Sequence, residues 1–481
     1  MINRQMLRYI LGRILQIEAL LMLLPLTLAL IYREPYRHIG IFSLTILICL
    51  GLGTALAWRR PEKRSLYTRD GLLIVALSWL LLSFFGALPF YLSGQIPSFL
   101  DAFFETVSGF TTTGSTILRD VTELDHSFLF WRSFTHLIGG MGVLVLALAI
   151  VPASDSDSVH LMKAEVPGPV FGKLVARMRA TARILYAIYL IMTLILMLIL
   201  FVLGMPIFDA MIHAFGAAGT GGFSSQAQSI ASYNSPAITY AVAVGMLAFG
   251  VNFNLYYLIL IKQVKKALKS EELRAYLMIY GLAVLMIFFN LLRFYRSAGL
   301  AFRESFFTCA SIMTTTGYSS ADFASWPLFS QIVLLGLMFI GGSAGSTAGG
   351  LKVSRVLILT KMAIKEARQS REPRRALPLL FDHKVIEKEQ QVRISNYLLV
   401  YLGLFTIFLF LVALDTNSFD VAFSAVASTF NNIGPGLSVI GPAGSFADFS
   451  AYTKVILSFA MLFGRLEIYP MLYLFTALKS K

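Results

Sequence analysis

Charge is what this sequence lacks most. Only 14% of its 481 residues are Asp, Glu, Lys or Arg, against about 25% in soluble domains, which excludes a set of water-soluble domains of this length. Cysteine is scarce too. Cys49 and Cys309 are the whole complement; both sit in apolar segments, which excludes a disulfide framework or a cysteine metal site and says nothing of compartment. There is no HExxH, no Walker loop and no GxGxxG after a strand, so the chain itself has no nucleotide site to offer. No paired His, Asp or Ser constellation falls at membrane depth, which leaves an intramembrane enzyme without reacting groups. His136 and His213 read as isolated histidines in apolar surroundings.

What is present is apolar surface. The apolar fraction is 57%, with 39 Phe, and a spanning helix needs about 20 such residues. Ten runs qualify, at approximately 9–31, 40–58, 71–92, 130–151, 183–204, 237–261, 275–296, 328–360, 395–414 and 452–478. The fold expected is an all-α polytopic membrane protein. The first run is too long for a signal-peptide core, lacks a small-x-small cleavage site and leads directly into a second span, so it reads as retained.

The net charge of +14 is distributed unevenly. Segments 59–69, 153–183, 262–274 and 361–393 hold 5, 5, 5 and 9 Lys and Arg, whereas 94–129, 205–236, 297–327 and 415–453 hold 1, 0, 1 and 0. Basic loops stay in the cytoplasm, which places the first set and both termini inside. The basic balance is therefore a signal of topology, and nucleic acid is excluded as the partner it would otherwise suggest.

The poorly charged outer segments share an internal order. They read DAFFETVSGFTTTGST from Asp101, DAMIHAFGAAGTGGFSS from Asp209, ESFFTCASIMTTTGYSS from Glu304 and DVAFSAVASTFNNIGPG from Asp420. From the opening acid to a loop glycine is 13 residues in three of them, ending at Gly114, Gly222 and Gly317, and 14 in the fourth, ending at Gly434. The glycines recur 108, 95 and 117 residues apart, a period that indicates internal duplication. Four pseudo-repeats of helix–pore-helix–helix around one central pore are expected, at 70–158, 159–270, 271–392 and 393–481. A two-helix hairpin, 1–69, is added in front.

Ten to twelve residues between acid and loop make a helix of about 16 Å, enough to reach only halfway across a bilayer. An acid near its N-terminus complements the dipole, and the opposite end points negative partial charge at the loop. Backbone carbonyls there would replace the water shell of a monovalent cation, with glycine supplying positive φ. Thr112, Thr113, Thr315 and Thr316 offer hydroxyls to tie the far side of the loop. No carboxylate lies inside the four loops, which argues against a divalent ion.

The loops TTTGS, GTGGFS, TTTGYS and NNIGPG, the four hairpin units and the TAGGLK stretch together resemble the Trk/Ktr/HKT superfamily over essentially the whole chain. That resemblance implies K⁺ uptake across the bacterial inner membrane by a homodimer embedded in lipid. It also implies regulation by a cytosolic TrkA-like nucleotide-binding ring. The filter glycines carry over onto Gly114, Gly222, Gly317 and Gly434. Carbonyls would come from Thr112 and Thr113, Thr220 and Gly221, Thr315 and Thr316, and Asn432 and Ile433. Family members with Ser at the first glycine tend to admit Na⁺; here it is Gly. The Asn-Asn-Ile of the fourth loop departs from a symmetric filter.

Two further features suggest a gate. GGSAGSTAGG, Gly341 to Gly350, interrupts the eighth run with five glycines, a poor helix. Its small residues, among them Gly342, Ser343, Gly345, Ser346 and Gly349, either pack helices closely or form a flexible break across the pore. The family's intramembrane gating loop corresponds to the second reading. Lys352 and Arg355 beyond it read as interfacial residues, in contact with the ring or not. Arg465 lies about 13 residues into the tenth run, where an ionised side chain is costly and usually functional; the resemblance matches it to the arginine that constricts the cavity beneath the filter. Glu467 is two residues away and points elsewhere on a helix. The 361–393 loop either docks the cytosolic partner or is a solvated or lipid-facing loop. The rival within transport is a Na⁺- or H⁺-coupled carrier with alternating access, whose usual repeats are inverted rather than same-sided.

Overall fold

A computed structural model describes residues 3–61, 67–142, 178–372 and 378–479. Among them six helices are long and apolar enough to cross a membrane, or seven if one bent pair is counted as a span. The first span, Arg4–Ile31, runs through two helices, α1 (Arg4–Leu21) and α2 (Leu23–Ile31), and packs against α3 (Tyr36–Ala57). Gly12 and Gly53 meet at that crossing, where a Cβ on either would come within 2.6–2.8 Å of the other's carbonyl oxygen. Small residues let the two backbones touch, the usual means of association in lipid.

Four units follow, each a long helix, a short helix, a loop and a further helix. The long helices are Thr68–Ser93, Met178–Val202, Glu271–Tyr295 and Lys388–Ala413. The short helices are Phe99–Phe110, Ile207–Gly219, Ala298–Met313 and Phe419–Phe430. Asp101, Asp209 and Asp420 fall in the first turn of theirs, as the dipole argument expects. Glu304 does not: its helix begins six residues earlier, capped by Ser297, and its carboxylate is bound by Arg303 and Ser320.

The last helix of each unit departs from the expected straight span. They are His126–Gly140, Pro236–Phe249, Leu328–Ile340 and Ala451–Arg465, all 13–15 residues long. The break after Ile340 is the one the glycine run predicts. The sixth run turns by 90° between Phe249 and Phe253. The tenth breaks after Arg465, with Glu467 and Ile468 at positive φ (+55° and +68°), before Tyr469–Lys479 resumes. The far part of the fourth run (143–151), the 153–177 loop and residues 373–377 of the 361–393 loop lie outside the described residues. A two-stranded antiparallel hairpin, β1 (Leu380–Phe381) with β2 (Lys384–Val385), is a small exception to the all-helical expectation.

Candidate functional site

Each short helix ends in the same backbone device. The residue three before the loop glycine closes the helix, and the next one, Thr112, Thr220, Thr315 or Asn432, takes φ between +53° and +56°. Its amide donates three residues back, to Gly109, Ala217, Ile312 or Thr429. The following amide reaches five back: Thr113 to Ser108, Gly221 to Gly216, Thr316 to Ser311 and Ile433 to Ser428, at 2.8–2.9 Å. These paired bonds are a Schellman motif, whose left-handed position glycine usually fills. A β-branched residue there is an outlier, and this chain places Thr there three times. The glycines come two residues later, at φ +80°, +77°, +82° and +103°, and carry the backbone out of the loop.

The four loops close on one another in order. A Cβ built on Gly114 would lie 2.0 Å from the Gly221 carbonyl oxygen, one on Gly222 2.0 Å from that of Thr316, and one on Gly317 2.0 Å from that of Ile433. One on Gly434 would lie 2.9 Å from the Thr113 oxygen, which returns the ring to its start. All four glycines line one cavity of about 90 Å³. The hydroxyls of Thr111 and Thr113 bond at 2.7 Å, as do those of Thr314 and Thr316. Asn432 donates to Thr113 and to the Met461 carbonyl, joining the fourth loop to the first.

Directly beneath, residues 341–352 form a non-helical loop with Gly341, Gly345, Gly350 and Lys352 at positive φ. Its amides and carbonyls are met by the second, third and fourth units. The Gly349 amide donates to Thr315 Oγ1 at 2.7 Å, Ser343 to the Gly250 carbonyl at 3.0 Å, and Ala344 to the Glu272 carboxylate at 2.6 Å. Arg465, buried, donates to the carbonyl of Thr347 at 2.7 Å and to those of Gly139 and Gly140 at the end of the first unit. Ser346 folds back on Ser343, and Gly342 packs on Ala348.

Several residues sit elsewhere than the sequence suggests. Lys352 and Arg355 are buried rather than interfacial: Lys352 bonds the Ala348 carbonyl, and Arg355 pairs with Glu467 and lies over Tyr397. Glu467 pairs with Arg355, and it lies past the helix end at positive φ rather than on the helix that the spacing assumed. His136 and His213 are not isolated. His136 bonds Gly109 and Phe223, and His213 bonds Asp209 and Ser224. A buried pair, Glu105 with Arg132 at 2.6 Å, escaped the sequence reading. Glu105 accepts from Thr116 and Ile117, so it braces the segment leaving the first loop, and Arg132 lines the cavity. The signal was available in principle, as charges inside apolar segments, but no spacing pairs them.

A multi-pass helical membrane protein whose four half-length helices deliver loops to one closed ring is the class this geometry defines. The family profile described as TrkH, cation transport protein, matches residues 38–481. The chain belongs to the TrkH cation transport family. It is 37% identical over 465 residues to the Trk system potassium uptake protein TrkH of Escherichia coli K12, covering 95% of each chain. It is 34% identical over 474 residues to TrkG of the same organism, covering 97% of this chain and 96% of that one. Among solved structures, the potassium transporter TrkH from Vibrio parahaemolyticus superposes with a TM-score of 0.89 at 34% identity, over 99% of both chains.

Proposed function

We propose that the chain takes up K⁺ across the bacterial inner membrane through the closed ring of loops, which serves as its selectivity filter. The observation that carries this reading is the cyclic closure: each loop glycine lies against the carbonyl of the next loop, and the fourth lies against the first. It is supported by relatives named potassium uptake proteins at 34–37% identity. The carbonyls of residues 112–113, 220–221, 315–316 and 432–433 replace the water shell of a monovalent ion. The C-terminal ends of four short helices make the site attractive to it. The four units at 70–158, 159–270, 271–392 and 393–481 then surround one pore, with the 1–69 hairpin outside it and both termini in the cytoplasm.

Below the filter, the 341–352 loop and Arg465 form the gate. The loop crosses beneath Thr315, and Arg465 holds it to the first unit with a charge that opposes a cation. The family assembly, a homodimer under a cytosolic TrkA-like ring, supplies the nucleotide sensing for which this chain has no motif.

The test is ⁸⁶Rb⁺ influx into liposomes holding the purified protein, with K⁺ and Na⁺ as competitors. Wild-type flux should be blocked by K⁺ far better than by Na⁺. Gly114→Ser, which sets a side chain against the Gly221 carbonyl, should narrow that difference by about tenfold or more. No monovalent flux under an imposed gradient, with or without the ring protein, would sink the proposal.

A further inference from the structure

The second loop lacks a side-chain bridge that the first and third loops share. In loops one and three the positions three and one before the glycine are threonines whose hydroxyls bond each other (Thr111 with Thr113, Thr314 with Thr316). In the second loop both are glycine, Gly219 and Gly221. Nothing in that loop's own side chains can make the bridge.

The space is filled from the neighbouring unit. A Cβ on Gly221 would lie 2.4–2.6 Å from three ring atoms of His136, and one on Gly219 2.2 Å from the His136 carbonyl oxygen. The imidazole therefore lies flat against the loop backbone where a threonine stands in loops one and three. Its two nitrogens are both used: Nδ1 lies 2.7 Å from the Gly109 carbonyl oxygen, and Nε2 lies 3.2 Å from the Phe223 nitrogen. A carbonyl can only accept and an amide only donate, so the ring is neutral with its proton on Nδ1. The ring also packs against Phe223, tilted by 31° with centroids 4.1 Å apart. Tyr318 donates to the Phe223 carbonyl from the third unit, and the Arg132 guanidinium lies 3.4 Å from the Phe223 ring centre.

We infer that His136 is a positioning residue for ion selection: it replaces, from the first unit, the hydroxyl bridge that the second loop lacks, and so sets where the Thr220 and Gly221 carbonyls point. The inference rests on the filter reading above, since only a discriminating ring needs this carbonyl spacing. It also accounts for GTGG where the other loops carry bulkier residues. Gly221 is glycine for want of room, because its φ is not in the left-handed region.

The experiment is a double-mutant cycle between positions 136 and 221, read by K⁺-over-Na⁺ competition against ⁸⁶Rb⁺ influx and by thermal unfolding in detergent. His136→Ala should lower discrimination by about tenfold, the effect of one buried donor left unmet, while the protein stays folded. His136→Gln, with an amide donor and acceptor, should keep most of it. Gly221→Ala should reduce flux and Tm in the wild type, where the methyl meets the ring, and cost little more in His136→Ala. Wild-type discrimination retained in His136→Ala overturns the inference, as does a Gly221→Ala penalty equal in both backgrounds; selective wild-type flux would then leave the filter reading standing. A wild type that moves ions without discrimination overturns both.

Discussion

Arg465 shows how much a single side chain holds next to the 341–352 loop. Its guanidinium serves carbonyls of Thr347, Gly139 and Gly140, joining the third unit's loop to the end of the first unit's helix. Truncating it leaves buried acceptors without donors, each costing about 1–3 kcal/mol where water does not enter. Arg465→Ala should therefore raise ⁸⁶Rb⁺ influx several-fold and lower Tm by a few degrees. An unchanged influx would place the barrier elsewhere. Gly317→Ala acts on the ring itself. Its methyl would lie 2.0 Å from the Ile433 carbonyl oxygen at a φ of +82°. K⁺-over-Na⁺ discrimination should fall at least as far as in Gly114→Ser although the helices remain, which circular dichroism would check.

At the scale of elements, the three helix breaks within the described residues differ in how readable they were. The break after Ile340 is announced by five glycines in ten residues. The one after Phe249 has only Gly250 and Asn252 in an apolar run, and is made by tertiary bonds: Ser343 donates to Gly250, and Phe253 donates to Gly345. The break after Arg465 has no glycine beyond it at all. Glu467 and Ile468 adopt positive φ while Glu467 pairs with Arg355, a partner 112 residues away. Periodicity and composition see local preference and are blind to such a clamp. The short helices and their loops were legible because their pattern recurs four times. The Schellman threonines were not, since a left-handed threonine contradicts its own propensity. Glu467→Gln should weaken the clamp. A fully buried pair that loses one partner costs about 3–5 kcal/mol, and the loss here should be smaller because the Glu467 side chain keeps 20% exposure. Thermal unfolding measures it, and Tyr397 stacking on Arg355 should survive the change.

For the whole molecule, the sidedness read from basic loops can be checked chemically with little background. Both native cysteines are fully buried at 0% exposure, so an impermeant maleimide should leave the wild type unlabelled. On the proposed topology, Asp120→Cys, at an exposed turn of a poorly charged segment, should label in intact cells. Lys269→Cys, at an exposed turn of a basic segment, should label only after the membrane is opened. The reverse pattern would invert the topology.

The closed ring has a consequence for how such a protein can change over time. Its four quarters are encoded at four places in one gene, so an inherited substitution reaches one quarter and leaves three as they were. A filter made from four copies of a short chain has no such freedom, since every change there is made four times at once. The Asn-Asn-Ile of the last quarter and the ring-backed glycines of the second are the kind of local experiment that this arrangement permits. Each must still fit the carbonyl that the previous quarter's glycine abuts. Variation among descendants should accordingly collect in pairs of adjacent quarters, and rarely across the diameter.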